Sequence, residues 1–151
     1  MAPSILSDNT IADWLEKWAN ETPDRESIVY SDRDFRLTWK ETDTRVNNMA
    51  KGMLAVGIKP GHHVGIWATN VPDWLIILYA CAKIGAIAVT VNTNYKQNEL
   101  EYLCQNADLN ALFIIDGTWE SDFVDMTYTM LPELKTSQRG HIKSDKFPLL
   151  K

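Results

Sequence analysis

Three times between residues 38 and 115, a segment of helical periodicity gives way to a short run of apolar β-formers. Few architectures accommodate that alternation when the loops are only a few residues long. It predicts a parallel sheet with right-handed crossover helices packed on its faces. Thr38-Trp39-Lys40-Glu41 is a capping box, in which Thr38 bonds the N3 amide and Glu41 reaches back to the N-cap amide. The helix it opens carries Val46, Met49, Ala50, Met53 and Leu54 on one stripe, and Gly57 is placed to end it in the left-handed conformation. Residues 64–68 then read as a strand. Asn70 or Val71 caps the next helix, with Pro72 in its first turn. From Trp74 to Ile84 this helix is apolar almost all round, which predicts burial on most sides. Gly85 stops it. Residues 87–91 lack polar alternation, as in a strand covered on both faces. A helix over 97–107 with Leu100, Leu103, Cys104 and Ala107 on one side, a buried strand over 111–115 and a last helix from Ser121 to about Leu131 complete the pattern.

Ahead of the repeating part, residues 10–20 form an amphipathic helix with Ile11, Trp14, Leu15, Trp18 and Ala19 on one face. Thr10 suits its N-cap, and the Asp13 carboxylate favours the helix N-terminus. Residues 27–31 and 35–37 make a hairpin around Asp32-Arg33-Asp34. The expected fold is therefore α/β: a parallel sheet flanked by helices, with an N-terminal helix and a small β-hairpin. The expected division is an α/β unit over 1–134 and a basic connector over 135–151. The connector holds Lys135, Arg139, Lys143, Lys146 and Lys151 against the single acid Asp145, in a solvated setting of Pro, Gly and Ser.

Charge and motif content exclude several functions. The chain of 151 residues has 15 Lys+Arg against 20 Asp+Glu, a formal charge of −5, so a general nucleic-acid binder is not expected. The first ten residues lack the basic and apolar regions of an export leader, and Lys83 and Gly85 interrupt the apolar stretch 74–91, so no membrane span is expected. Cys81 and Cys104 lack metal or disulfide spacing and read as buried free thiols, which makes the cytoplasm the expected compartment. His62 and His63, adjacent on a strand, point to opposite faces, and His141 stands alone. No metal site and no nucleophile–base set can be assembled from them. The glycines form no phosphate-cradling loop, and Thr136-Ser137-Gln138-Arg139-Gly140 is only superficially similar to one. Asp116 and the stretch 92–96 each follow the carboxyl end of a buried strand, where α/β proteins place ligand groups. Asp116 reads more readily as a turn or cap residue than as a ligand group. Lys96 could face an anionic ligand, and solvation explains it as well. It is the one candidate cofactor-binding residue; no catalytic residue is identified.

The motifs in order resemble the adenylate-forming (AMP-binding) enzymes, and the fatty acyl-CoA synthetase branch in particular. Leu37-Thr38-Trp39-Lys40-Glu41-Thr42 is similar to that family's first core. Ala82-Lys83-Ile84-Gly85-Ala86 leading to Asn92 is similar to its second. Between them stand Gly57-Ile58-Lys59-Pro60-Gly61, followed by Val64-Gly65-Ile66, and Asn70-Val71-Pro72-Asp73-Trp74. Asn92-Thr93-Asn94-Tyr95 and Glu99-Leu100-Glu101-Tyr102 follow. The resemblance implies the first part of a large N-terminal domain. It also implies an enzyme that joins a carboxylic (fatty) acid to ATP with Mg²⁺, then passes the acyl group to coenzyme A. The family's ATP loop, its aromatic-Thr-Glu segment and its later Asp and Lys match no residue here, so the 151 residues are expected to be an N-terminal fragment, inactive alone. Leu103 stands where relatives that contact coenzyme A often carry an Arg, and His62 or His63 stands where many have Asp.

Two other readings stay open at this stage. One is a stand-alone, non-enzymatic α/β binding or interaction module, which predicts a closed monomer, whereas a fragment predicts exposed apolar faces and self-association. The other is a small nucleotide binder, which lacks its glycine fingerprint.

Overall fold

The computed structural model describes residues 8–138 and 140–151; residues 1–7 of the leader reading and Arg139 of the basic tail lie outside the described residues. Helix α1 (Ile11–Glu21) opens with a reciprocal capping box. The Asp13 N–H donates to Thr10 Oγ1 at 3.2 Å, and the Thr10 N–H donates to Asp13 Oδ2 at 2.7 Å. Asp13 is thus a second cap partner and more than a favourable charge. Strands β1 (Glu26–Tyr30) and β2 (Phe35–Thr38) form the antiparallel hairpin, reversed through a turn of 3₁₀ helix and Asp34 at φ +49°.

Helix α2 (Trp39–Ala55) begins at the Thr38/Glu41 box, with the Thr38 N–H donating to Glu41 Oε2 at 2.8 Å. At its other end the N–H groups of Gly57 and Ile58 reach the carbonyls of Leu54 and Met53, both at 3.0 Å, with Gly57 at φ +88°. That pair of hydrogen bonds is the glycine-dependent stop. Its buried stripe is Thr42, Val46, Ala50 and Met53; Leu54, expected on it, is 51% exposed. At 3.6 residues per turn, Leu54 projects roughly a right angle away from that stripe. Thr42 is tolerated inside because its hydroxyl meets that of Ser27 at 2.6 Å.

The main sheet has three parallel strands in the order β4 (Ile87–Thr90), β3 (His63–Trp67), β5 (Leu109–Ile114). Helix α3 (Pro72–Ile84) links β3 to β4, and α4 (Gln97–Asn106) carries the chain from β4 past β3 to β5. The core residues of α3 and α4 belong to separate clusters on opposite sides of the sheet. Strand β3 feeds both: Val64 and Ile66 enter the cluster with α1, α2 and α3, whereas Trp67 enters the one with α4. Gly65 shares the Trp67 face, where a Cβ would stand 2.7 Å from Leu112 Cδ1 and 2.8 Å from Leu109 Cδ1. Two leucines therefore occupy the space a side chain would need.

One expectation about burial is corrected and one holds. Strand β4 is not covered on both faces: it is an outer strand of the sheet, with Ile87 49% exposed. Helix α3 is buried on most sides as expected, with Ile76, Ile77, Ala80, Cys81 and Ile84 in the core and Leu75 its one exposed large apolar side chain. At β4 the composition suits an interior element, but three strands and their helices do not enclose it.

After β5 come two very short antiparallel strands, β6 (Gly117–Thr118) and β7 (Ser121–Asp122), which periodicity alone does not reveal. Helix α5 (Phe123–Met130) therefore starts two residues later than expected, capped by Asp122, whose Oδ1 accepts the Asp125 N–H at 2.8 Å. The expectation that the basic tail is solvated is corrected as well. Phe147 and Leu150 are buried in the core around α4, and Lys146 pairs with Glu101. Burying each such side chain is worth about 1.5–3 kcal/mol, enough to hold the segment down.

Candidate functional site

The sheet itself positions a crevice. From β3 the chain leaves toward α3 on one face, and from β5 it leaves toward α5 in the other core, so the loops at their carboxyl ends diverge. This is the switch point of a doubly wound sheet, where such folds bind ligands. A cleft of about 230 Å³ lies there, lined by Ala68, Val71, Asp73, Trp74, Phe113 and Ile115 among others. Its walls are mainly apolar.

Beside the cleft, Trp67 ties three elements together. Its Nε1–H donates to the Asn92 carbonyl at 3.2 Å, and its ring stacks on Phe123 with centroids 3.7 Å apart and planes within 7°. Asn92 Oδ1 accepts the Asn94 N–H at 2.9 Å, which tightens the turn leading into α4. Neither Trp67 nor Phe123 was expected to matter here. The available clue was a Trp ending an aliphatic strand, because a buried indole needs an acceptor for its one N–H.

Lys96 sits at the start of α4, where its N–H donates to Glu99 Oε2 at 2.9 Å. Its ammonium donates to Ser121 Oγ at 2.7 Å, bridging the β4–α4 turn to β7. Asp116 does stand just beyond the carboxyl end of β5, and its carbonyl accepts the Phe123 N–H at 3.0 Å as the chain turns into the β6–β7 hairpin. Gly117 is needed there, since a Cβ would come 2.3 Å from the Ser121 carbonyl oxygen. Around this hairpin, Asp116, Trp119 and Ser121 line an open hollow of about 510 Å³, and Trp119 is 94% exposed.

Another groove, of about 450 Å³, runs along α4, lined by Tyr95, Asn98, Glu99, Tyr102, Leu103 and Asn106 among others. Leu103 faces this groove, and the charged side chain lining it is that of Glu99, so no cation is offered there.

The remaining candidates lie elsewhere or are already engaged. His63 is at the amino end of β3, with its N–H on Asn110 Oδ1 at 2.8 Å and its ring against the Ala107 carbonyl. His62 Nδ1 accepts the Lys59 N–H at 3.2 Å. Desolvation, then the charges of Lys151 and Lys59, lower its pKa. Cys81 and Cys104 are buried in the two separate cores, and burial raises their thiols to about 11 and about 12, so neither is a ready nucleophile. At the Thr136–Ser137 turn both N–H groups are already bonded to the Glu133 carbonyl, which leaves neither for a phosphate. Lys83, in the second of the family-like boxes, is structural. Its ammonium lies 2.6 Å from Glu16 and 2.9 Å from Asp43, joining α3 to α1 and α2. Burial opposes its charge, but the hydrogen bonds it donates to Glu16 and Asp43 prevail and hold the pKa above the ordinary value. Among the described residues no group of three or more His, Cys, Asp or Glu could hold a metal ion. None of their helices is long and apolar enough to cross a membrane.

Comparison with known proteins connects this geometry to a family. The family described as AMP-binding enzyme matches residues 15–148. The chain is 42% identical over 146 residues to YngI of Bacillus subtilis (strain 168), by its name a candidate acyl-CoA synthetase, covering 97% of this chain and 27% of that one. It is 32% identical over 143 residues to the mitochondrial medium-chain acyl-CoA ligase ACSF2 of Danio rerio, covering 95% and 24%. Among solved structures, a candidate long-chain-fatty-acid CoA ligase from Rhodopseudomonas palustris superimposes with a TM-score of 0.74 at 26% identity, over 83% of this chain and 30% of that one. The chain thus spans about a quarter of the length of the curated relatives it matches.

Proposed function

Because the chain belongs to the AMP-binding enzyme family, we propose that it forms the N-terminal part of an AMP-forming acyl-CoA ligase. In that reaction the carboxylate of a fatty or other acid attacks the α-phosphorus of ATP, giving an acyl-adenylate and releasing pyrophosphate. The thiol of coenzyme A then displaces AMP. The observation that carries this reading is the 42% identity to the Bacillus protein across nearly the whole chain.

The chain's own part in the chemistry is scaffolding. Lys83 fixes three helices against the sheet, and Trp67 fixes the turn that presents Lys96. Lys96 is the side chain we assign to an anionic group of the nucleotide or of coenzyme A, with Ser121 holding its ammonium in place. The described residues supply no cluster for Mg²⁺, and the 151 residues alone are inactive in this reading.

The test is a chimera in which this chain replaces the matching segment of the Bacillus protein. It should form acyl-CoA from a fatty acid, ATP and coenzyme A, and Lys96→Ala should raise KM several-fold for ATP or coenzyme A with kcat kept. A folded chimera without ligase activity would overturn the reading. ATP–pyrophosphate exchange by the 151-residue chain alone would overturn its inactivity.

A further inference from the structure

Helix α1 keeps part of its apolar surface outside the core. Leu15 is buried, but Ile11 is 56% exposed, and Trp14 and Trp18 are each exposed by more than a third. Spaced three and four residues apart, these three side chains form one row along the helix. The Trp67 indole N–H has its acceptor, whereas among the described residues none meets that of Trp14 or Trp18. Lys17 lies beside the row, its ammonium 4.7 Å from the ring centroid of Trp14 and 5.6 Å from that of Trp18.

More cations stand at one end of this cluster. Trp18 meets Trp39, the first residue of α2, with ring centroids 6.4 Å apart. The Trp39 N–H donates to the Arg25 carbonyl at 3.0 Å, and the Lys40 N–H to the Pro23 carbonyl at 3.1 Å. The chain thus brings Arg25 and Lys40, both exposed, to the Trp39 end. The acids of the region are mostly engaged: Asp13 and Glu41 in the capping boxes, Glu16 by Lys83 and Glu26 by Arg36. Among the described residues Lys17, Arg25 and Lys40 enter no ion pair, and Glu21 and Asp24 are the neighbouring unpaired acids. Apolar rings with wet polar tips, set beside free cations, suit the boundary between water and lipid.

We propose that α1 lays Ile11, Trp14 and Trp18 into the surface of a bilayer containing anionic lipid, with Lys17, Arg25 and Lys40 toward the headgroups. The helix is already capped, seated on Leu15 and tied by the Glu16–Lys83 pair, so lipid contact has no segment to order first. Nothing in this depends on ligase activity.

The experiment mixes the chain with vesicles of phosphatidylcholine and phosphatidylglycerol, three parts to one, or of phosphatidylcholine alone, and reads co-sedimentation. Binding to the mixed vesicles should be several-fold tighter. Lys17→Ala should weaken it about fivefold, as for one cation lost near a charged surface, and Glu21→Gln should tighten it. Lipids brominated in the upper acyl chain should quench part of the tryptophan fluorescence. The double variant Trp14→Phe, Trp18→Phe keeps both rings, and circular dichroism checks that it folds. It should still sediment with the vesicles but lose that quenching. Quenching that persists would overturn the proposal, since exposed Trp119 or another indole would then be the one meeting lipid. So would no binding by the folded chain, equal binding to both vesicles, or an unchanged affinity in Lys17→Ala. Self-association that Ile11→Asn abolishes, without vesicle binding, would overturn it too, because a second copy would then cover the face.

Discussion

Trp67 lies flat on Phe123, joining the last residue of the central strand to the first residue of α5. The same indole donates to the Asn92 carbonyl, so two distinct interactions can be separated by substitution. Phe123→Ala should cost about 3–5 kcal/mol through the cavity it leaves. Trp67→Phe keeps an aromatic ring and should cost less, with about 0.5–1.5 kcal/mol of the loss owed to the hydrogen bond. Urea unfolding of both variants checks the order; an equal loss would mean that the stack contributes little.

The Lys83 cluster makes stability depend on alkaline pH. Its folded pKa is raised, so the stabilisation is complete below the unfolded lysine value of 10.5 and is lost as pH rises through the higher folded value. Lys83→Met should lower stability at neutral pH by about 1–3 kcal/mol, because Asp43 loses its partner, and should flatten the alkaline decline. Thermal melts from pH 7 upward give the comparison, and an undiminished slope in the variant would assign the decline to other groups.

At the acid end, Asp13 and Glu41 carry the opposite dependence. Backbone hydrogen bonds from Thr10 and Thr38, and then the side-chain hydroxyls of the same residues, hold both carboxyls below their ordinary values. Their contribution is present above the unfolded carboxylate values of 3.8 and 4.5 and fades as pH falls through the lower folded ones. Glu41→Gln should shrink the acid loss of helicity followed by circular dichroism, and a curve coincident with wild type would rule out a role for this cap in it.

Gly65→Ala tests the packing of the two leucines. The added methyl meets the Leu109 and Leu112 termini, and overpacking of this kind costs about 1–3 kcal/mol. Leu112→Val, which withdraws one of those termini, should restore part of the loss in the double variant. Additive losses would locate the strain elsewhere.

Iodoacetamide should label neither cysteine at neutral pH in the folded chain. Cys81 and Cys104 are buried, with thiols raised to about 11 and about 12, so modification has to wait for opening. Mass spectrometry across a urea series should show both labelled only through the unfolding transition; fast labelling in buffer would contradict their burial.

The parts of the fold that could be read in advance are those whose causes are local. Thr38 and Glu41 meet within one turn, Gly57 and Gly85 stop their helices at φ +88° and +71°, and the aliphatic runs set the strands. What escaped depends on partners remote in the chain. Lys83 finds Glu16 and Asp43 from 67 and 40 residues away, and Lys96 finds Ser121 from 25. Leu54 projects well away from the buried stripe, a matter of angle that a list of apolar positions does not settle. Phe147 and Leu150 sit in a basic, polar tail whose composition suggests solvent, and only the hollow beside α4 and β5 gives them a place. The site was legible at Asp116 and Lys96 as positions at strand ends. Their settings came from the short β6–β7 hairpin, which has no periodicity to read.

The order of strands in the sheet has a consequence for synthesis. The middle strand is made first: β3 leaves the ribosome before either of its neighbours exists, and β5 is complete only at Ile114. At about 5–20 residues per second, the sheet's most buried segment waits for seconds with both edges unpaired. For that interval the nascent chain offers His63–Trp67 to any passing strand. Chaperone demand should therefore peak between the emergence of Trp67 and that of Ile114.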